Sequence, residues 1–195
     1  MTKTDNYSGI GVCNLPSGAS YEGEVLNGKW QGYGEMKFQN RDVYKGEWNE
    51  GIMHGKGEYS FYDKEKRRYT ANYKGDFVIG KREGSGEMQY PNKDKYIGQW
   101  QNDQRTGEGI CWFSNGDCFF GLWRFDEMIR GTYHLANGDV YDGEIKNGNF
   151  NGYGKYYWKE TGSWFEGTFA KGKPIDGIKV NLDKTLNEYK DGVML

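Results

Sequence analysis

The chain has 195 residues, enough for one domain or one compact repeat array. Its 26 basic and 28 acidic residues nearly cancel, which argues against a dedicated nucleic-acid or anionic-membrane surface. Aromatics are plentiful, with 16 Tyr, 10 Phe and 7 Trp, so the chain is not composed like a disordered one and its core should be built from rings.

Taken in chain order, the first element is a half copy over residues 7–20, marked by Gly9 and Gly11. Full copies follow, beginning at Tyr21, Tyr44, Tyr73, Tyr96, Phe119, Tyr141 and Phe165. Two residues on from each start there is Gly, and four residues on there is an apolar residue: Val25, Trp48, Phe77, Trp100, Trp123, Ile145 and Phe169. Five copies then carry Gly-x-Gly, as in Gly32/Gly34 and Gly55/Gly57, while two keep only the second glycine, Gly131 and Gly177. Such regular recurrence reads as a repeat architecture before any single motif is considered.

Within a copy the period is two, which is strand alternation. Each copy is therefore predicted to be a β-hairpin, and the whole an all-β, elongated, single-layer twisted antiparallel sheet of stacked hairpins spanning 1–195 as one array. Between copies lie short stretches such as Gln39-Asn40-Arg41 and Ser114-Asn115-Gly116. A three-residue loop ending in a left-handed residue sets Cys111 opposite Phe119, Gly109 opposite Gly121 and Met88 opposite Tyr96. Only this register gathers the apolar positions on one face. It makes one row of large side chains from Tyr21 to Phe165 and a neighbouring row of glycine, over which the rings can lie. The tail, 181–195, loses the repeat and is expected to cover the last strand edge, with Asp183 capping a short helix that ends near Gly192.

Tyr44-Lys45-Gly46-Glu47-Trp48 with His54-Gly55-Lys56-Gly57 resembles the MORN (membrane occupation and recognition nexus) repeat, and the likeness extends over about residues 7–180. The copies after Phe119 and Phe165 depart from its pattern, and the loop after Tyr59 is longer. The long loop and the Ser-Asn-Gly-Asp junction are similar to MORN-only proteins of sperm and cilia. The resemblance implies a single twisted sheet whose groove holds a partner segment.

The glycine pairs lie inside strands, so they do not form the strand–Gly-x-Gly-x-x-Gly–helix unit of a dinucleotide site. Two histidines and three cysteines without CxxC spacing give no metal set. No acid–base or nucleophile constellation recurs. The chain is therefore expected to be a non-catalytic scaffold or adaptor without a cofactor, binding a peptide or helix of a cytoskeletal, ciliary or sperm assembly, with homodimerisation as a further option. The expected partner groove comprises Tyr44, Trp48, Tyr73, Phe77, Tyr96, Trp100, Phe119 and Trp123. On the otherwise charged outer face, Ile97, Ile110, Trp112, Phe120 and Leu122 form an expected apolar contact patch. The alternative is a phosphoinositide-binding membrane adaptor acting through Lys64, Lys66, Arg67 and Arg68. Nucleic acid is not an expected partner. MTKTDNYSGIG has no apolar signal core, and no apolar run is long enough to span a bilayer. The expected location is cytoplasmic, with association to cytoskeleton or cilium, and the thiols, Cys111 and Cys118 among them, are expected to be free.

Overall fold

The computed structural model describes residues 7–195. Among these every regular element is a strand, and the chain divides into two compact units, Met1–Asp103 and Gln104–Leu195. The first unit is an antiparallel meander of β1 (Gly9–Asn14), β2 (Ser20–Leu26), β3 (Lys29–Lys37), β4 (Val43–Asn49), β5 (Ile52–Asp63), β6 (Arg68–Val78), β7 (Lys81–Gln89) and β8 (Lys95–Gln101). The second is a meander of β9 (Gln104–Trp112), β10 (Cys118–Arg124), β11 (Glu127–His134), β12 (Val140–Lys146), β13 (Asn149–Trp158), β14 (Ser163–Ala170), β15 (Lys173–Val180), β16 (Leu186–Lys190) and β17 (Val193–Met194).

The register follows the reading above. In the first unit Tyr21, Met36, Tyr44, Tyr59, Tyr73, Met88 and Tyr96 are successive cross-strand partners. In the second, Cys111, Phe119, Tyr133, Tyr141, Tyr156 and Phe165 are successive partners in a row of the same kind. The connecting loops end in a left-handed residue, such as Arg41 at φ 75° or Gly116 at φ 94°. In the Asn40-Arg41-Asp42 loop the Asp42 N–H donates to Asn40, and the Asp42 carboxylate then accepts from the Tyr59 hydroxyl and the Tyr62 N–H. Asp117 and Asp139 tie down the next turns in the same way. Burial opposes ionisation of Asp139, yet the donors from Tyr156, Lys159 and Asn137 outweigh it and hold its carboxyl below the usual range.

The core lies within the single layer. The rings of Tyr21, Tyr44, Tyr73, Tyr96, Phe119, Tyr141 and Phe165 are wholly buried. A Cβ added at Gly34, Gly57, Gly86 or Gly154 would overlap the tyrosine ring lying on it. The ring four residues on wedges between two of these tyrosines: Trp48 meets Tyr21 and Tyr44 edge-on at 5.5 and 5.2 Å, and Phe77 meets Tyr44 and Tyr73 at 5.1 and 5.2 Å. Such pairs add about 0.5–1.5 kcal/mol each beyond burial. Trp48, Trp100 and Trp123 also donate their indole N–H groups to Gly34, Gly86 and Gly109 carbonyls at 3.2 Å.

The first glycine of Gly-x-Gly has a separate task. Gly32, Gly55, Gly84 and Gly152 have φ near 60° and sit in a bulge of the return strand. In these copies that strand carries two residues more than its partner, as in Gly46↔Gly57 followed by Trp48↔Met53. The bulge leaves a carbonyl for the tyrosine: Tyr21, Tyr44, Tyr73 and Tyr141 donate to Glu24, Glu47, Asp76 and Glu144 carbonyls at 2.7–3.1 Å. The carboxylates of the same four residues accept the N–H that follows the bulge glycine. In the copies beginning at Phe119 and Phe165 the ring has no hydroxyl, the first glycine is missing, and the return strand carries only one extra residue.

The tail corrects one expectation. No helix forms after Asp183; Leu186–Lys190 is a strand paired to β15, with Val180 opposite Leu186 and Gly177 opposite Tyr189. Asp183 instead accepts the Thr185 N–H in the turn. A helix this short lacks the bonds to offset its nucleation cost, whereas the strand gains a ladder and sets Tyr189 edge-on to Phe165 at 5.4 Å.

Two outcomes are expected. Gly86→Ala should lower the urea stability by about 2–3 kcal/mol through overpacking against Tyr73, whereas Gly51→Ala, which meets open space at φ 85°, should cost about 1 kcal/mol. Alkaline titration supplies the other. Burial, aided by the Glu24 carboxylate, pushes the Tyr21 hydroxyl up to about 12; burial pushes Tyr141 to about 12 and also raises Tyr44, Tyr59, Tyr73 and Tyr156. Their raised folded pKa values contribute stability that is complete below about pH 10 and is lost as pH rises towards about 12. Tyrosinate absorbance from these residues should therefore appear together with loss of the β-sheet dichroism, not before it.

Candidate functional site

The ring face of the first unit carries an apolar concavity of about 590 Å³. Its walls come from the position two residues before Gly-x-Gly and from the loop ends. Trp30, on β3 opposite Val25, stacks on Tyr21 at 5.0 Å and meets Trp48 edge-on at 5.1 Å. Met53, on β5, sits opposite Trp48. Phe38 leaves the end of β3 and stacks on Tyr59 at 5.7 Å. Leu15 and Ile52 complete the rim, and Trp48 contributes to the floor. Trp30, Phe38, Met53, Leu15 and Tyr59 are half-buried, and Ile52 is exposed. This is the combination that an apolar side chain from another molecule can enter.

The next copy ends the apolar character. The residue equivalent to Trp30 and Met53 is Arg82, opposite Phe77. Its guanidinium lies 4.5 Å over the Trp100 ring, and its Nε–H donates to the Asp103 carboxylate at 3.0 Å. In the second unit Arg105 repeats this over Trp123 at 4.2 Å, bonded to Asp126. These are cation–π pairs held in place by an ion pair.

The eight ring residues expected to line a groove occupy a different level. Tyr44, Trp48, Tyr73, Phe77, Tyr96 and Trp100 in the first unit, and Phe119 and Trp123 in the second, are all between 0 and 4 % exposed. They are the core on which the rim rests, closed off by glycine below and by one another at the sides. Only Trp48 reaches the concavity, as its floor. The accessible residues Trp30, Phe38, Ile52 and Met53 were not singled out from the sequence. For Trp30 and Met53 the signal is variability: their position reads Trp30, Met53, Arg82, Arg105 and Phe150 in the copies that keep Gly-x-Gly, while the first position of every copy keeps to Tyr or Phe.

The outer-face residues separate by unit. In the second unit Ile110 lies directly opposite Phe120, Trp112 opposite Cys118, and Leu122 opposite Glu108. Trp112, Phe120 and Leu122 are 39, 54 and 42 % exposed. Ile97 belongs to the first unit, opposite Glu87. Elsewhere on the first unit this face carries ion pairs, such as Lys45–Glu35 at 2.9 Å and Lys95–Glu87 at 2.8 Å, beside the exposed Ile10, Val12 and Tyr33.

The longer loop after Tyr59 is the tip of an extended hairpin, since β5 runs to Asp63 and β6 starts at Arg68. Lys64, Lys66, Arg67 and Arg68 are all exposed. Asp63 accepts the N–H groups of Glu65 and Lys66 and pairs with the Lys66 ammonium at 3.3 Å. All three cysteines are free thiols, Cys111 buried in the ring row.

A family model described as MORN repeat matches residues 21–43, 44–66, 73–95, 96–118 and 141–160. The matches pass over the copies that begin at Phe119 and Phe165, the two with the smaller bulge. Alsin from Mus musculus is 29% identical over 162 residues, which cover 76% of this chain and 8% of that protein. MORN repeat-containing protein 3 from Xenopus laevis is 39% identical over 72 residues, 34% of this chain and 28% of that protein. The chain therefore spans only a small part of the length of these relatives. Among solved structures, the TCP10 domain of Danio rerio CPAP, in complex with a peptide of Danio rerio STIL, has a TM-score of 0.50 at 14% identity, covering 94% of this chain and 84% of that one. That likeness is one of fold.

The two levels of the ring face predict different mutational costs. Trp48→Ala should lower stability by about 3–5 kcal/mol by opening a cavity in the core. Met53→Glu, on the half-exposed rim, should cost about 1 kcal/mol and leave a cooperative urea transition.

Proposed function

This chain belongs to the MORN repeat family, and from that premise we propose that it is a non-catalytic protein-interaction module. It holds a peptide or helical segment of another protein against the ring face of its first unit. The observation that carries this reading is the open apolar concavity walled by Trp30, Phe38 and Met53 on a rigid ring-and-glycine floor. Apolar side chains spaced along an extended strand or one helix face are the natural occupants of such a groove. A sheet of comparable fold is seen with a peptide in the CPAP domain, and we carry peptide binding to this chain as part of the proposal. The buried rings Tyr44, Trp48, Tyr73, Phe77, Tyr96, Trp100, Phe119 and Trp123 act by shaping and stiffening the platform.

A second contact surface is proposed on the outer face of the second unit, where Ile110, Trp112, Phe120 and Leu122 stand in place of the usual charges. An exposed cluster of this kind suits a protein partner or a second copy. The setting we propose is a cytoplasmic assembly of the cytoskeleton, cilium or sperm.

The test is partner recovery with folded rim variants. Partners captured by the wild-type chain and identified by mass spectrometry should be lost with Phe38→Glu or Met53→Glu. Those held by the outer patch should be lost with Ile110→Asn plus Phe120→Asn. Unchanged recovery from variants that retain their dichroism would remove both surfaces.

A further inference from the structure

We propose that the segment held in the apolar concavity is acidic at one end, with its carboxylates received by Arg41, Lys64 and Arg67. This inference rests on the groove reading above and names the chemistry of its occupant. A second hollow of about 610 Å³ lies beside the apolar concavity, and Gln39 lines both. The second hollow is lined by Gln39, Arg41, Tyr62, Lys64 and Arg67, three cations and no carboxylate. Among the described residues none of the three cations is ion-paired.

The hollow is built by the turn machinery. Arg41 occupies the left-handed position of the Asn40-Arg41-Asp42 loop. Its guanidinium donates to the Tyr62 hydroxyl at 3.1 Å and lies 5.4 Å from the Tyr62 ring centre. Tyr62 is fixed in turn by the bond from its N–H to Asp42 at 2.7 Å. Lys64 and Arg67 come from the hairpin tip created by the six extra residues that follow Tyr59. Of the two carboxylates at the tip, Asp63 is already engaged by two N–H groups and Lys66, and neither Asp63 nor Glu65 lines the hollow. A pre-positioned guanidinium with spare N–H donors, beside an ammonium, matches a carboxylate.

One feature favours an acidic peptide over an anionic membrane: the three cations line a hollow beside an apolar concavity, whereas a lipid surface suits a flat basic field. An apolar anchor with an adjacent acidic cluster satisfies both hollows at once, the first giving adhesion and the second orientation.

Peptides selected from a random-sequence display library on the immobilised full chain test this. The wild type should enrich sequences with two or more aliphatic or aromatic residues next to two or more Asp or Glu. A synthetic peptide of that type should bind about tenfold more weakly at about 300 mM salt than at about 50 mM. The triple variant Arg41→Ala, Lys64→Ala, Arg67→Ala should enrich the same apolar residues without the acids, and Met53→Glu should enrich neither. Apolar peptides without acidic bias, or an acidic bias that survives in the triple variant, would overturn the inference and leave the groove reading standing. No enrichment on the wild type, or equal enrichment on Met53→Glu, would overturn both. Absence of acidic bias, together with wild-type sedimentation on vesicles of phosphatidylcholine and phosphatidylserine that the triple variant loses, would assign the cations to a membrane and overturn the inference.

Discussion

The constraint on which the rest depends is that a single-layer sheet has no second layer to bury its apolar face. This chain meets it by laying each large ring flat on the glycine pair beside it and wedging the next ring between two such neighbours. A glycine there is a seat, since any Cβ would occupy the space of the ring. The arrangement explains why the composition is rich in Tyr, Trp and Gly and poor in aliphatics. It also explains why the repeat is stringent at a few positions and permissive elsewhere: the stringent ones are packed on all sides, and the others face solvent.

Burying a tyrosine takes its hydroxyl into the layer, where an unmade hydrogen bond costs about 1–3 kcal/mol. The return-strand bulge resolves this by leaving a carbonyl of the strand opposite it to accept from the hydroxyl, and the first glycine of Gly-x-Gly supplies the left-handed residue the bulge requires. The copies that begin with Phe carry the smaller bulge and lack that glycine. Ring chemistry, bulge size and glycine count thus vary together. Two sequence irregularities, Gly131 and Gly177 without an upstream partner, become one structural fact.

The proposed contacts then sit on what the core leaves free. The fold, the ring row and the glycine row were legible in the sequence because period two and one-face burial fix register without knowledge of any partner. The pairing of Cys111 with Phe119 and Met88 with Tyr96 follows from that arithmetic alone. Accessibility was not legible, because it depends on how rings tilt: the most regular aromatics are the least exposed, and Trp30, Phe38 and Met53 reach the surface only through the bulge and the loop ends. The tail was misread because Asp183 suits a helix cap locally, while pairing with β15 is visible only once the neighbouring strand is placed. The hollow formed by Arg41, Lys64 and Arg67 was half visible: the basic run at the hairpin tip stands out, but Arg41 joins it from a turn about twenty residues earlier.

The central claim is that each buried ring and its bulge form one unit, with a tyrosine hydroxyl bonded to the carbonyl that faces the larger bulge. Reciprocal exchange of Tyr73 and Phe119 measured by urea denaturation tests it most directly. The account predicts that Phe119→Tyr destabilises by about 1–3 kcal/mol, because the smaller bulge offers neither room nor an acceptor. It predicts that Tyr73→Phe also destabilises, by about 1 kcal/mol, through loss of the bond to the Asp76 carbonyl. A Phe119→Tyr chain as stable as the wild type, with Tyr73→Phe equally neutral, would contradict it.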